Sequence, residues 1–92
     1  MRIRLHSRVI KFLGKLDKED KERVKLKLKS LLSSVEAKGI IPFKELDIKQ
    51  LDGEWKGFVR MRTGKIRIIF QINKEEELLL VHQMDYRGDV YK

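Results

Sequence analysis

The sequence predicts an α+β domain: an N-terminal strand, then an αα-hairpin, then an antiparallel sheet with the helices packed on one face. Three observations carry this prediction. Apolar residues recur at three- and four-residue steps between Val9 and Val35, the period changes to two from Phe58 onward, and turn-forming residues separate the alternating runs. At 92 residues the chain is expected to form one domain, able to bury roughly 60–65% of the surface its unfolded form exposes.

The opening "MRIRLH" sets Ile3 and Leu5 against Arg2 and Arg4, the pattern of a short half-buried strand suited to a sheet edge. Ser7 is the expected N-cap of a short helix through "RVIKFLGKL", with Val9, Ile10, Leu13 and Leu16 on one side and Gly14 favouring an early stop. Asp17 caps a second helix from Lys18 to about Ala37. Its first turns carry Glu19, Asp20 and Glu22, which suit the positive end of the helix dipole. Val24, Leu28, Leu31, Leu32 and Val35 form its apolar stripe, and Gly39 is its C-terminal signal.

From Ile40 to Asp52 the pattern is irregular and interrupted by Pro42, so this stretch is read as a connector entering the sheet. Strands are then predicted over Trp55 to Arg62, Lys65 to Ile72 and Glu77 to Met84, separated by "TG" and "NKEE". The last eight residues, "DYRGDVYK", are read as a tail leaving the sheet.

The charge balance concerns partners. With 22 Lys and Arg against 14 Asp and Glu, the net charge of +8 points to a polyanion. There is no cysteine, no apolar run of membrane-spanning length and no secretory signal pattern, so a cytoplasmic protein without disulfides is expected. Gly-rich phosphate loops, a GxSxG elbow and a cysteine nucleophile are all missing, and His6 and His82 form no metal-ligand pattern; no cofactor is expected.

The positive charge concentrates in "FVRMRTGKIRIIF". Side chains alternate across a strand, so Val59 and Met61 share one face and Phe58, Arg60 and Arg62 the other. On the next strand Ile66, Ile68, Phe70 and Ile72 oppose Lys65, Arg67, Ile69 and Gln71. A two-residue Thr63-Gly64 turn would set Arg60 opposite Arg67 and Arg62 opposite Lys65, pairings that oppose folding by about 0.2–1 kcal/mol each. The window from Trp55 to Lys74 holds six basic residues and no carboxylate. It reads either as a solvated outer face or as a pre-arranged set of phosphate donors.

Elsewhere the dull readings are preferred. Lys21, Arg23, Lys25, Lys27 and Lys29 are taken as a solvated helix face. His82 is taken as a partly buried strand residue, with the alternative that it joins the arginine face if Leu79 and Val81 turn inward. Tyr86, Arg87, Tyr91 and Lys92 close the chain with groups suited to base stacking and phosphate contact.

In sequence order, "LDG", "FVRMRTGKIRIIF" and "LLLVHQMDYRGDVYK" resemble the RelE/ParE toxin superfamily, particularly its archaeal RelE-like members, over essentially the whole chain. Leu51, Gly53, Phe58, Arg60, Arg62, Gly64, Arg67, Arg87 and Tyr91 fill the family pattern. Ile66 replaces a common Tyr, and Gln50 a common Lys.

The resemblance implies a type II toxin that cuts messenger RNA in the ribosomal decoding site without a metal, paired with a RelB-like antitoxin in a hetero-oligomer. A ParE-like gyrase inhibitor, a non-catalytic RNA-binding module and a degenerate toxin are the alternatives. It assigns Arg60, Arg67 and Arg87 to the scissile phosphate and Tyr91 to proton transfer or stacking. Lys49, Lys56, Arg62, Lys65 and Lys92 are assigned to RNA contact. Because Arg67 falls on the non-core face, truncating it is expected to spare the thermal transition.

Overall fold

Each helix starts where a side chain supplies the hydrogen bond that its first turn lacks. In a computed structural model of the protein, which describes residues 1–86, helix α1 spans Ser7–Lys15 and helix α2 spans Lys18–Lys38. Asp17 Oδ1 accepts from the Asp20 amide at 2.8 Å and caps α2 as expected. The N-cap of α1 is His6 rather than Ser7: its Nδ1 accepts from the Arg8 amide, and Ser7 is the first helical residue. Gly39 ends α2 in the left-handed conformation at φ 67°.

The strands are β1 (Arg2–Leu5), β2 (Ile48–Gln50), β3 (Val59–Thr63), β4 (Ile66–Asn73) and β5 (Leu78–Tyr86). They form one sheet in the order β1-β5-β4-β3-β2. All pairings are antiparallel except β1 with β5, which is parallel, so the sheet is mixed at one edge. The expected edge position of the first strand holds.

Three boundaries differ from the sequence reading. The irregular connector contains β2, whose three residues are too few for alternation to register; Asp47, at φ 52°, turns the chain into it. Trp55 lies in a 3-10 turn over Gly53–Trp55, not in a strand, and Gly57 at φ 93° delays the ladder until Val59. Asp85 and Tyr86 continue β5 instead of leaving the sheet.

The hairpin register also moves. Thr63 pairs with Ile66 and Arg62 with Arg67, so the turn is Gly64-Lys65 rather than Thr63-Gly64. Gly64 takes φ 59° at the first turn position, which a β-branched Thr63 there would resist. The slip of two residues preserves the faces, because side-chain direction repeats every two residues.

The core lies between the helices and one face of the sheet. Val9 from α1, Leu16 at its C-cap, and Val24, Leu28, Leu31 and Val35 from α2 meet Met61, Ile66, Ile68, Phe70, Leu79 and Val81. Leu32, Phe12 and Leu13 are partly buried against this cluster, whereas Ile10 of the expected α1 stripe is exposed. No helix among the described residues is long and apolar enough to cross a membrane.

Phe70 is completely buried at the centre of β4. Phe70→Ala is expected to lower stability by about 3–5 kcal/mol, read as a reduced midpoint in guanidinium unfolding monitored by circular dichroism.

Candidate nucleic-acid interface

Covering one face of β4 with helices forces its alternate residues onto the other. There the register assembles two rows across the sheet: Lys49, Arg60, Ile69 and Gln83, then Arg62, Arg67 and Asp85. Ile69 is completely buried yet lies outside the helix-side core, and it forms an apolar floor between Arg60 and Arg67.

Like charges do stand directly opposite one another, but the partners differ from those the sequence predicts. Arg62 faces Arg67 and Lys49 faces Arg60, while Lys65 sits exposed in the turn. Lys56 is exposed just before β3, and Arg62 is half-buried.

The acid-free window is acid-free only along the chain. Asp85, directly across from Arg67, takes its Nε at 3.3 Å and accepts from Gln83 Nε2 at 2.7 Å. Asp47 lies 3.6 Å from Arg60. Arg60 and Arg67 retain only 7% and 8% exposure, so these guanidinium groups are held rather than splayed into solvent. The expectation that Arg67 can be truncated without cost is therefore corrected: removing it strands Asp85 beside a buried apolar floor.

A bulge positions these groups. Phe70 pairs with Val81 but Ile69 pairs with Gln83, which leaves His82 as an extra residue in β5. Leu79, Val81 and Met84 are all core residues. His82 faces outward by regular alternation and the bulge turns Gln83 outward beside it, so Met84 returns to the core and Asp85 reaches Arg67.

His82 thereby joins the arginine face, the alternative that the sequence left open. Its ring lies 5.2 Å from Phe58, 5.5 Å from Trp55 and 5.6 Å from His6. Burial first, then the charge of Arg8 and that of His6, hold its imidazole below the ordinary value of 6.5. His6 is itself tied to Arg8, whose Nε donates to His6 Nδ1 at 3.1 Å.

The sequence reading missed Asp47, Asp85, Trp55 and His6 as parts of this face. Cross-strand register could have found Asp85; the bulge and the 3-10 turn leave no period to read. Arg87, Tyr91 and Lys92 lie outside the described residues. Among the described residues, no group of three or more His, Cys, Asp or Glu side chains is arranged to hold a metal ion.

No family model and no curated protein sequence matches the chain. Solved structures do. A chain of the archaeal RelE-RelB complex from Pyrococcus horikoshii OT3 aligns with a TM-score of 0.71 and 26% identity over 95% of this chain and 94% of that one. This chain has the RelE-like toxin fold. The RelE-like arrangement recurs in the RelB-RelE complex of Methanococcus jannaschii, with a TM-score of 0.69 and 19% identity over 96% of this chain and 94% of that one. It recurs again in the isolated E. coli RelE toxin, with a TM-score of 0.69 and 20% identity over 98% and 89% of the two chains.

Two outcomes follow for the RelE-like sheet. Arg67→Ala is expected to cost about 2–3 kcal/mol, measured by denaturant unfolding, with Arg67→Lys costing less because it keeps a cation beside Asp85. The His82 ring resists a proton that the unfolded chain accepts near pH 6.5. The unfolded state thus binds more protons between the folded pKa and that value, and stability falls as pH drops through this window. Thermal melts across the window should show the fall in the wild type, and a shallower one in His82→Gln.

Proposed function

We propose that this protein is the toxin of a type II toxin-antitoxin module and acts as a ribosome-dependent endoribonuclease on messenger RNA. The observation that carries the reading is the arginine face: Arg60 and Arg67, oriented by Asp47 and Asp85, with Arg62 alongside, on a RelE-like sheet.

The chemistry suits such a face. In RNA cleavage by the internal route, the 2′-oxygen forms a bond to phosphorus as the bond from phosphorus to the 5′-oxygen breaks. This yields a 2′,3′-cyclic phosphate and a 5′-hydroxyl end. The proton of the 2′-hydroxyl leaves to a base, and the departing 5′-oxygen gains one. Negative charge builds on the phosphorane oxygens, where fixed guanidinium forks stabilise it without reorganising.

Asp85 and Asp47 restrict the rotamers of Arg67 and Arg60, so less freedom is lost when a phosphate arrives. Arg62, Lys49, Lys56 and Lys65 supply contacts to flanking phosphates, as does Lys92; Arg87 and Tyr91 complete the assignment at the C-terminus. On this reading the ribosome supplies substrate alignment, which explains a site built from cations instead of a strong general base. A RelB-like antitoxin neutralises the same basic face in a hetero-oligomer, an inference supported by the RelE-RelB and RelB-RelE complexes among the structural matches.

Mapping messenger RNA ends on purified ribosomes tests the proposal. The wild type should generate new ends within ribosome-bound message and leave free RNA nearly intact. Arg67→Lys, which keeps the charge but loses the fork, should slow cleavage by about 10²-fold. Undiminished cleavage by Arg67→Lys would remove Arg67 from the mechanism. DNA breaks with no RNA ends would replace the reading with gyrase inhibition.

A further inference from the structure

The ring cluster beside the arginines has no role in gripping phosphate. Trp55, Phe58, His6 and His82 come from four separate places: the 3-10 turn, the residue before β3, the N-cap of α1 and the bulge of β5. All four are half-buried, and none belongs to the helix-side core. A cluster built only to fill the interior would be sealed by the helices; this one opens on the charged side of the sheet.

We infer that these rings form a nucleobase-stacking subsite, which holds an unstacked base of the RNA while Arg60 and Arg67 hold its phosphate. The inference rests on the proposed function. Phe58, just before β3, and Arg60 within it are two residues apart, about 6.6 Å along an extended chain, so ring and guanidinium engage adjacent groups of one RNA strand.

The rings suit the task chemically. Every base has a π-face, and stacking on aromatic side chains contributes whatever the sequence. His82, kept neutral by its surroundings, offers a flat imidazole rather than a further cation. The Phe58 and Trp55 rings meet edge to face, an interplanar angle of 87°, so a base lying flat on one ring meets the edge of the other.

The chain contains a single tryptophan, which makes Trp55 a built-in reporter. The purified full-length chain is titrated at low salt with a short oligoriboadenylate, and separately with an abasic ribose-phosphate oligomer of equal length and charge. Binding is read by anisotropy of labelled oligomers and stacking by Trp55 emission. The adenylate should quench Trp55 saturably and bind more tightly; the abasic oligomer should bind without quenching.

Phe58→Leu and His82→Leu should each weaken adenylate binding by about tenfold and leave abasic binding unchanged, while Phe58→Tyr should restore the wild-type value. Equal affinity for both oligomers with unquenched Trp55 would overturn the subsite, as would failure of the adenylate to bind. Ribosome-dependent cleavage, measured on the same preparation, then tells the two failures apart. If cleavage persists, only the subsite is lost; if cleavage is also missing, the proposed function falls with it.

Discussion

The strand β4 is buried on both sides, and the rest of the molecule follows from how its two faces are satisfied. Ile66, Ile68 and Phe70 meet the helices, and hydrophobic burial fixes their direction. Strand geometry then leaves Arg67 and Ile69 no choice but the opposite face. Arg67 is thus carried into a poorly solvated position by the packing of its apolar neighbours, and it needs a carboxylate partner there.

That need is met at the adjoining strand. A strand that alternated without interruption would place Asp85 on the same side as Leu79 and Val81, inside the helix-packed core. The one-residue bulge at His82 reverses the parity, so Met84 fills the core and Asp85 stands opposite Arg67. Next to this irregularity His82, outward by regular alternation from Leu79 and Val81, stands among Trp55, Phe58 and His6. A single extra residue therefore brings Asp85 to Arg67, on the face that also carries the ring cluster.

The cost of crowding cations is distributed. Arg62 opposite Arg67 and Lys49 opposite Arg60 are unfavourable pairs. Asp47 and Asp85 offset part of the repulsion from the two sides of the sheet, one at the entry to β2 and the other on β5. What results is a basic face with ordered guanidinium groups. Under the proposed function, an incoming phosphodiester would meet donors already in place.

Sequence alone determined the helices, their caps at Asp17 and Gly39, the division of Phe58 to Phe70 into an apolar and a cationic face, and the RelE-like resemblance. These are local or periodic properties, and the face assignment survived a register error because a two-residue slip preserves side-chain direction. Only the tertiary structure decided the Gly64-Lys65 turn, strand β2, the parallel β1-β5 edge, the acidic partners of Arg60 and Arg67, and the ring cluster around His82. Each depends on contacts between residues distant along the chain, or on a break in periodicity. No repeating pattern records a bulge or says which carboxylate will lie across from a buried arginine.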